Sequence, residues 1–279
     1  MDWLEPAHLW AAAACLVACA VLGWFVPILV GRIPEPEPAP DAVPDAEAAG
    51  GVRDEQDAVE PVAGEVATAE PTDERKLFDR SLPAAPDKVP YAEIAAAPHF
   101  ALWAAAWSGL VGACFGAALG WTGALIYLVP LVPIGVALMV VDWRTTLLPT
   151  RVIHPTYVLL AVLIPVAALV DQDLDSLYRA GWGWLVIGAW FWIFWWLFNA
   201  WGFGDVRLAR VLGPALGYLG WYELLMGLVL ILVVGGLGGL LIGIASRNLR
   251  RRIPYGPFML VGSALSVVIG PWLAKGLGY

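Results

Sequence analysis

Residues 224–245 read Leu-Leu-Met-Gly-Leu-Val-Leu-Ile-Leu-Val-Val-Gly-Gly-Leu-Gly-Gly-Leu-Leu-Ile-Gly-Ile-Ala, with no charged side chain, and the run ends at Ser246-Arg247. At about 1.5 Å per residue, a helix of this length crosses a hydrocarbon layer of roughly 30 Å. Lipid offers the backbone no hydrogen-bond partner, so a lone apolar run of this kind has to satisfy its amides and carbonyls internally, as a helix. Similar stretches lie at 7–31, 100–119, 122–141, 156–170, 181–200, 205–220 and 257–274, so that with 223–245 the chain is expected to cross a membrane about eight times. The weakest is 205–220, only about 24 Å long at that rise and interrupted by Pro214, which is expected to tilt inward or to bury one end in protein. With 60% hydrophobic and 14% charged residues and a mean hydropathy of +0.72, the composition excludes an ordinary soluble domain. The fold class expected is all-α and polytopic.

The net charge of -8 belongs to one segment: residues 35–98 hold 16 acids and 5 bases, and the remainder is weakly basic. This segment opens Ile33-Pro34-Glu35-Pro36-Glu37-Pro38 and is rich in Pro, Ala, Asp and Glu, a composition that buries too little apolar surface to order itself. The organisation expected is therefore a first transmembrane helix in 1–34, a disordered cytoplasmic linker in 35–98 and a multi-helix membrane domain in 99–279. The amino terminus has no basic stretch ahead of its apolar run, so residues 7–31 read as a retained span. Placing that terminus outside puts 14 of the 16 lysines and arginines on the cytoplasmic side, as membrane insertion favours. Cys15, Cys19 and Cys114 lie in apolar stretches with no metal-ligand spacing and read as small buried hydrophobes.

Outside the linker eight acids remain, and six are explained by exposed termini, the 171–175 loop or an outer helix end. Asp142 and Asp205 are left over, both at the cytoplasmic ends of spans and at similar depth. Two carboxylates at one depth suggest a shared site that titrates as a pair, one group ionised and the other holding its proton. Such a pair suits peptide hydrolysis, with one member as general base toward water and the other as acid toward the carbonyl and the leaving amine. Gly202 and Gly204 flank Asp205 in Gly202-Phe203-Gly204-Asp205 and are expected to permit positive φ and close approach of a substrate backbone. The plainer reading of the same residues is a turn with Asp205 as helix N-cap. Two carboxylates could equally carry protons in a secondary transporter, although a transport site is expected near the midplane. A non-catalytic assembly protein is a third possibility.

Three stretches carry a resemblance. Val141-Asp142-Trp143-Arg144-Thr145-Thr146-Leu147-Leu148-Pro149 resembles the first aspartate motif of type IV prepilin peptidases. Gly202-Phe203-Gly204-Asp205-Val206-Arg207-Leu208-Ala209, continuing to Leu212-Gly213 and Leu216-Gly217, resembles their second, and Ile253-Pro254-Tyr255-Gly256-Pro257-Phe258 resembles the entry to their last span. The resemblance covers roughly 100–275, with a fainter likeness at Gly23 to Pro34. It implies a GxGD-type aspartic endopeptidase of the inner membrane with Asp142 and Asp205 as catalytic dyad. Gly202, Gly204, Arg207 and Pro149 would act in support, with Arg207 in place of the family's usual lysine and near the dyad or lipid phosphates. The substrates implied are type IV prepilin or pseudopilin precursors with a basic leader ending at glycine ahead of a hydrophobic helix, cleaved at the cytoplasmic face. No cofactor, metal or nucleic acid is implied. Bifunctional members carry a cysteine-rich insert after the first span; a cysteine-free acidic linker stands here, so N-methyltransferase activity does not follow. A presenilin-like protease would pair the motif with Tyr-Asp, and residue 141 is Val.

Other features read more plainly. The seven tryptophans between Trp182 and Trp201 are expected to face lipid or its interface. Arg247 and Arg250 to Arg252 set topology, with binding of anionic lipid as the alternative. The linker is a solvated tether that could also steer a basic leader. No histidine is assigned a catalytic role, although His154 lies near Asp142 in sequence.

Overall fold

The computed structural model describes residues 5–35, 89–198, 202–246 and 254–276. Most of the linker, Trp201 and the 247–253 arginine cluster lie outside them. The described residues form helices α1 (Pro6–Trp24), α2 (Val26–Gly31), α3 (Tyr91–Ala95), α4 (Phe100–Leu119), α5 (Ala124–Thr145), α6 (Thr150–Asp171), α7 (Asp175–Phe198), α8 (Phe203–Leu219), α9 (Trp221–Ala245) and α10 (Gly256–Gly276). There is no strand among them. Six helical segments are long and apolar enough to cross a membrane: Pro6–Gly31, α4, α5, α6, α7 and α9. The chain is an all-α multi-pass membrane protein.

Helices pack through small residues, the usual means of bringing backbones together where lipid removes the hydrophobic drive. Ala11, Cys15, Cys19 and Gly23 recur every four residues on one buried face of α1. Opposite them on α4, a Cβ at Gly112 would lie 2.5 Å from the Cys19 sulfur, and one at Gly116 2.5 Å from the Ala11 carbonyl oxygen. Cys15 and Cys19 are therefore the small buried residues expected, whereas Cys114 is exposed, on the side of α4 turned away from α1. Helices α7 and α8 approach closer still, since a Cβ at Gly213 would fall 2.2 Å from the Gly183 carbonyl oxygen.

The short segment that the sequence marks as weakest becomes the 17-residue helix α8, and it is enclosed by protein along most of its length. Val206, Leu208, Ala209, Val211, Leu212, Ala215 and Leu216 are all buried. That placement explains how a short helix with an acid and two arginines is accommodated: its surroundings are other helices and not hydrocarbon. Conversely Trp182, Trp184, Trp190, Trp192 and Trp196 of α7 are exposed on the outside of the bundle, where lipid-facing aromatics were expected.

Three boundaries differ from expectation. Helix α6 begins at Thr150 and not near 156, because Pro149 caps it and its polar first turns, including Arg151 and His154, remain helical. Helix α7 begins at Asp175 and not near 181, because the Asp173 carboxylate accepts the backbone N–H groups of Asp175 (3.1 Å) and Ser176 (3.3 Å) as an N-terminal cap. Residues 89–98, assigned to the linker, belong to the helical body: Tyr91 and Ile94 of α3 are buried, and the Tyr91 N–H donates to the Glu35 carboxylate. At the same end as the α7 cap, Asp171 accepts the Gly123 N–H at 2.6 Å and the Tyr218 hydroxyl at 2.7 Å, while Arg179 pairs with Asp173 at 2.9 Å. The acidic loop is thus a hydrogen-bonded corner joining α5, α6, α7 and α8.

Candidate active site

Asp142 lies in the last turn of α5 and is 4% exposed; Asp205 lies in the first turn of α8 and is 8% exposed. Each carboxylate is close enough to feel the other's charge. Helix α5 is stopped one turn beyond Asp142 by Thr146, which takes a left-handed conformation (φ 52°) while its N–H bonds the Asp142 carbonyl at 2.7 Å. A β-branched residue at positive φ is strained, and the surroundings must hold it there. The chain then reverses through Leu147 and Leu148 to the buried Pro149, whose fixed φ opens α6.

The two carboxylates share one structural device. The first amides of a helix have no partner within it and carry the positive end of the helix dipole. Asp142 Oδ2 accepts the N–H of Gly256, the first residue of α10, at 2.9 Å. Asp205 Oδ2 accepts the N–H of Gly202, the residue capping α8, at 3.0 Å. Asp205 is therefore not the N-cap that the plainer reading expected. It occupies the third helical position and reaches back to the cap, the acidic half of a capping box, while the glycine supplies no side chain for the other half.

Neither glycine of Gly202-Phe203-Gly204 uses positive φ: Gly202 is extended (φ -71°, ψ 152°), and among the described glycines only Gly120 has φ in that range. Their value is steric. A Cβ at Gly204 would lie 3.0 Å from Leu148 Cβ, and one at Gly256 would lie 2.7 Å from Asp142 Oδ2 and 3.4 Å from Leu148 Cδ2. Leu148 is thus wedged between the glycine beside Asp205 and the glycine bonded to Asp142. Gly202 is exposed and a Cβ there would make ordinary contact with Asp205 Oδ2 at 3.5 Å, leaving that edge of the site open.

Arg207 does not touch either carboxylate. Its guanidinium lies 4.7 Å from the Phe203 ring centre and donates to Thr150 Oγ1, and its carbonyl accepts the Tyr157 hydroxyl at 2.8 Å. His154 is exposed and stacks beside Tyr157 with ring centres 6.0 Å apart, so it has no contact with Asp142. The sequence marked Asp142, Asp205, Gly202, Gly204, Arg207 and Pro149; it did not single out Gly256, Leu148, Thr150 or Tyr157. Gly256 and Leu148 stood inside quoted motifs, where a glycine opening a helix was the available signal. Thr150 and Tyr157 left no such mark.

Comparison with known proteins agrees with this layout. The sequence model of the type IV leader peptidase family matches residues 129–244, a stretch that includes both aspartates. The prepilin leader peptidase/N-methyltransferase of Escherichia coli (strain K12) is 32% identical over 143 residues, covering 49% of this chain and 60% of that protein. The chain thus spans about 60% of the length of that curated relative. No solved structure matches.

Proposed function

This chain is a type IV prepilin peptidase-like membrane protein, and from that premise we propose that it is an aspartic endopeptidase with Asp142 and Asp205 as its catalytic dyad. The observation that carries the reading is the pair of buried carboxylates, each anchored by one helix-terminal amide and both abutting Leu148 and its glycines. One oxygen of each is committed to an amide, which leaves the other free for water or substrate.

The chemistry follows from that arrangement. One carboxylate takes a proton from water as the water oxygen bonds to the scissile carbonyl carbon, and the protonated partner donates to the carbonyl oxygen. Collapse of the tetrahedral intermediate breaks the C–N bond, and the proton taken from water passes to the leaving amine. The substrates are type IV prepilin or pseudopilin precursors, cut after a basic leader at the cytoplasmic face of the inner membrane, with the amino terminus of this chain outside. The open edge at Gly202 admits the extended segment around the scissile bond. Arg207 supports the dyad from a distance.

Cleavage of a co-expressed type IV prepilin, read by its mobility shift, tests this. The native chain is expected to cleave, and Asp142→Asn and Asp205→Asn, each inserted in the membrane at native level, are expected to lose about 10³-fold or more of the rate, given what positioned acid and base groups contribute. Native-like cleavage by both variants would remove the dyad. No cleavage of any prepilin or pseudopilin by the native chain would reopen the enzyme class.

A further inference from the structure

Resting on that reading, we propose that Thr150 and Tyr157 of α6 are positioning residues for the dyad, acting through Arg207 to hold the first turn of α8 against the segment that carries Asp142. They sit seven residues apart, on one face of α6. Thr150 takes the Arg207 guanidinium and Tyr157 bonds the Arg207 carbonyl at 2.8 Å, so one residue of α8 is gripped at both its side chain and its backbone.

The need for such a grip follows from how the acids are otherwise held. The bond from Gly202 to Asp205 is internal to the first turn of α8, and the bond from Gly256 to Asp142 joins α10 to α5. Neither fixes the separation of the two carboxylates. That separation depends on where the start of α8 sits relative to the 142–149 segment, and among the contacts described there only the Leu148–Gly204 packing and the double tie to Arg207 bridge the two. Packing of a leucine against a glycine resists approach and leaves retreat unopposed. The hydrogen bonds supply the opposing restraint, and Thr150 follows directly on Pro149, so the tie is anchored at the end of the first acid's own segment.

The side-chain path of Arg207 supports a mechanical role. In a helix a long side chain leans back toward the N-terminus over the preceding turn, and here it crosses the Phe203 ring, four residues earlier, before reaching Thr150. The guanidinium is thereby directed away from the carboxylates and toward α6. A lysine could reach the same hydroxyl, but its ammonium would not combine the stacking with a directed planar donor.

The test combines kinetics with a readout independent of substrate. Thr150→Val keeps the shape and removes the acceptor; Tyr157→Phe removes one hydroxyl. Each is expected to lower kcat for prepilin cleavage by about tenfold or more, the sensitivity expected when reacting groups shift by a fraction of an ångström, with KM unchanged within about twofold. Thr150→Ser is expected to restore kcat. Separately, Leu148→Cys with Gly204→Cys places two sulfurs where a disulfide forms readily in membranes, detected as the linked peptide pair by mass spectrometry. Adding Thr150→Val or Tyr157→Phe is expected to slow that cross-link several-fold.

Native kcat and native cross-linking in both variants would overturn the proposal. So would a change confined to KM, or a Thr150→Ser chain as impaired as Thr150→Val. Should Thr150→Val fail to insert, Tyr157→Phe decides alone. Slowed cross-linking in a chain whose native form cleaves nothing would uphold the tie and sink the peptidase reading, which separates the two.

Discussion

Replacing Gly256 by alanine adds one methyl group at the most constrained point of the site. The new Cβ would stand 2.7 Å from Asp142 Oδ2, about 0.7 Å short of ordinary contact, and 3.4 Å from Leu148 Cδ2, which already fits. The carboxylate must retreat, and the 2.9 Å bond from the Gly256 amide lengthens or breaks. Hydrogen bonds to charged groups contribute about 1.5–3 kcal/mol. Since about 1.4 kcal/mol corresponds to a factor of ten, Gly256→Ala is expected to lower kcat for prepilin cleavage by roughly 10- to 100-fold. Gly236→Ala is the control, because a Cβ there meets nothing within 4 Å. It is expected to cleave normally and, as alanine replacing glycine within a helix, to gain about 0.5–1 kcal/mol of stability. The assay is a single-turnover cleavage time course in detergent, normalised to folded protein. Gly256→Ala turnover within about twofold of native, in folded protein, would refute the assignment of the Gly256 amide as the anchor of Asp142.

Three further outcomes follow from the packing. Gly213→Ala would force a Cβ to within 2.2 Å of the Gly183 carbonyl oxygen, a backbone atom that cannot step aside. A loss of about 3 kcal/mol or more and a sharp drop in inserted protein are expected, whereas Gly181→Ala, which meets nothing within 4 Å, should be neutral by the same thermal assay. Tyr218→Phe removes the 2.7 Å bond to Asp171 and should lower stability by about 0.5–1.5 kcal/mol while leaving cleavage at low temperature unchanged. The hydrogen bond and charge of Arg179 hold the Asp173 carboxyl below the ordinary aspartate range. That contribution is present above the ordinary range and fades as the pH falls through the lowered value, so Arg179→Gln should flatten the acid side of a plot of Tm against pH.

Much of this protein is written locally. An uncharged run long enough to span lipid must become a helix, because no other structure satisfies its backbone there, and the eight main helices lie where the apolar stretches predict. The two aspartates stood out because charge at the ends of apolar spans demands a reason. The sequence was less informative about helix starts at Thr150 and Asp175, where capping at Pro149 and Asp173 prevails over the polarity of the first turns. It also misjudged what the glycines beside Asp205 do, since spacing along a chain reveals permitted φ and not which neighbour leans on a missing Cβ.

What only the tertiary structure decided is how the pieces meet. The Gly256 amide and the Asp142 carboxylate are 114 residues apart in sequence, and nothing in either segment specifies the other. The same holds for the Tyr157–Arg207 bond across 50 residues and for the enclosure of α8 by its neighbours. Local pattern determines which helices form and which side chains lie along each face, because hydrophobicity and backbone hydrogen bonding act within a few residues. Which faces then meet depends on the close approach of Gly183 to Gly213 and of Gly112 to Cys19, contacts that exist only once the bundle has assembled.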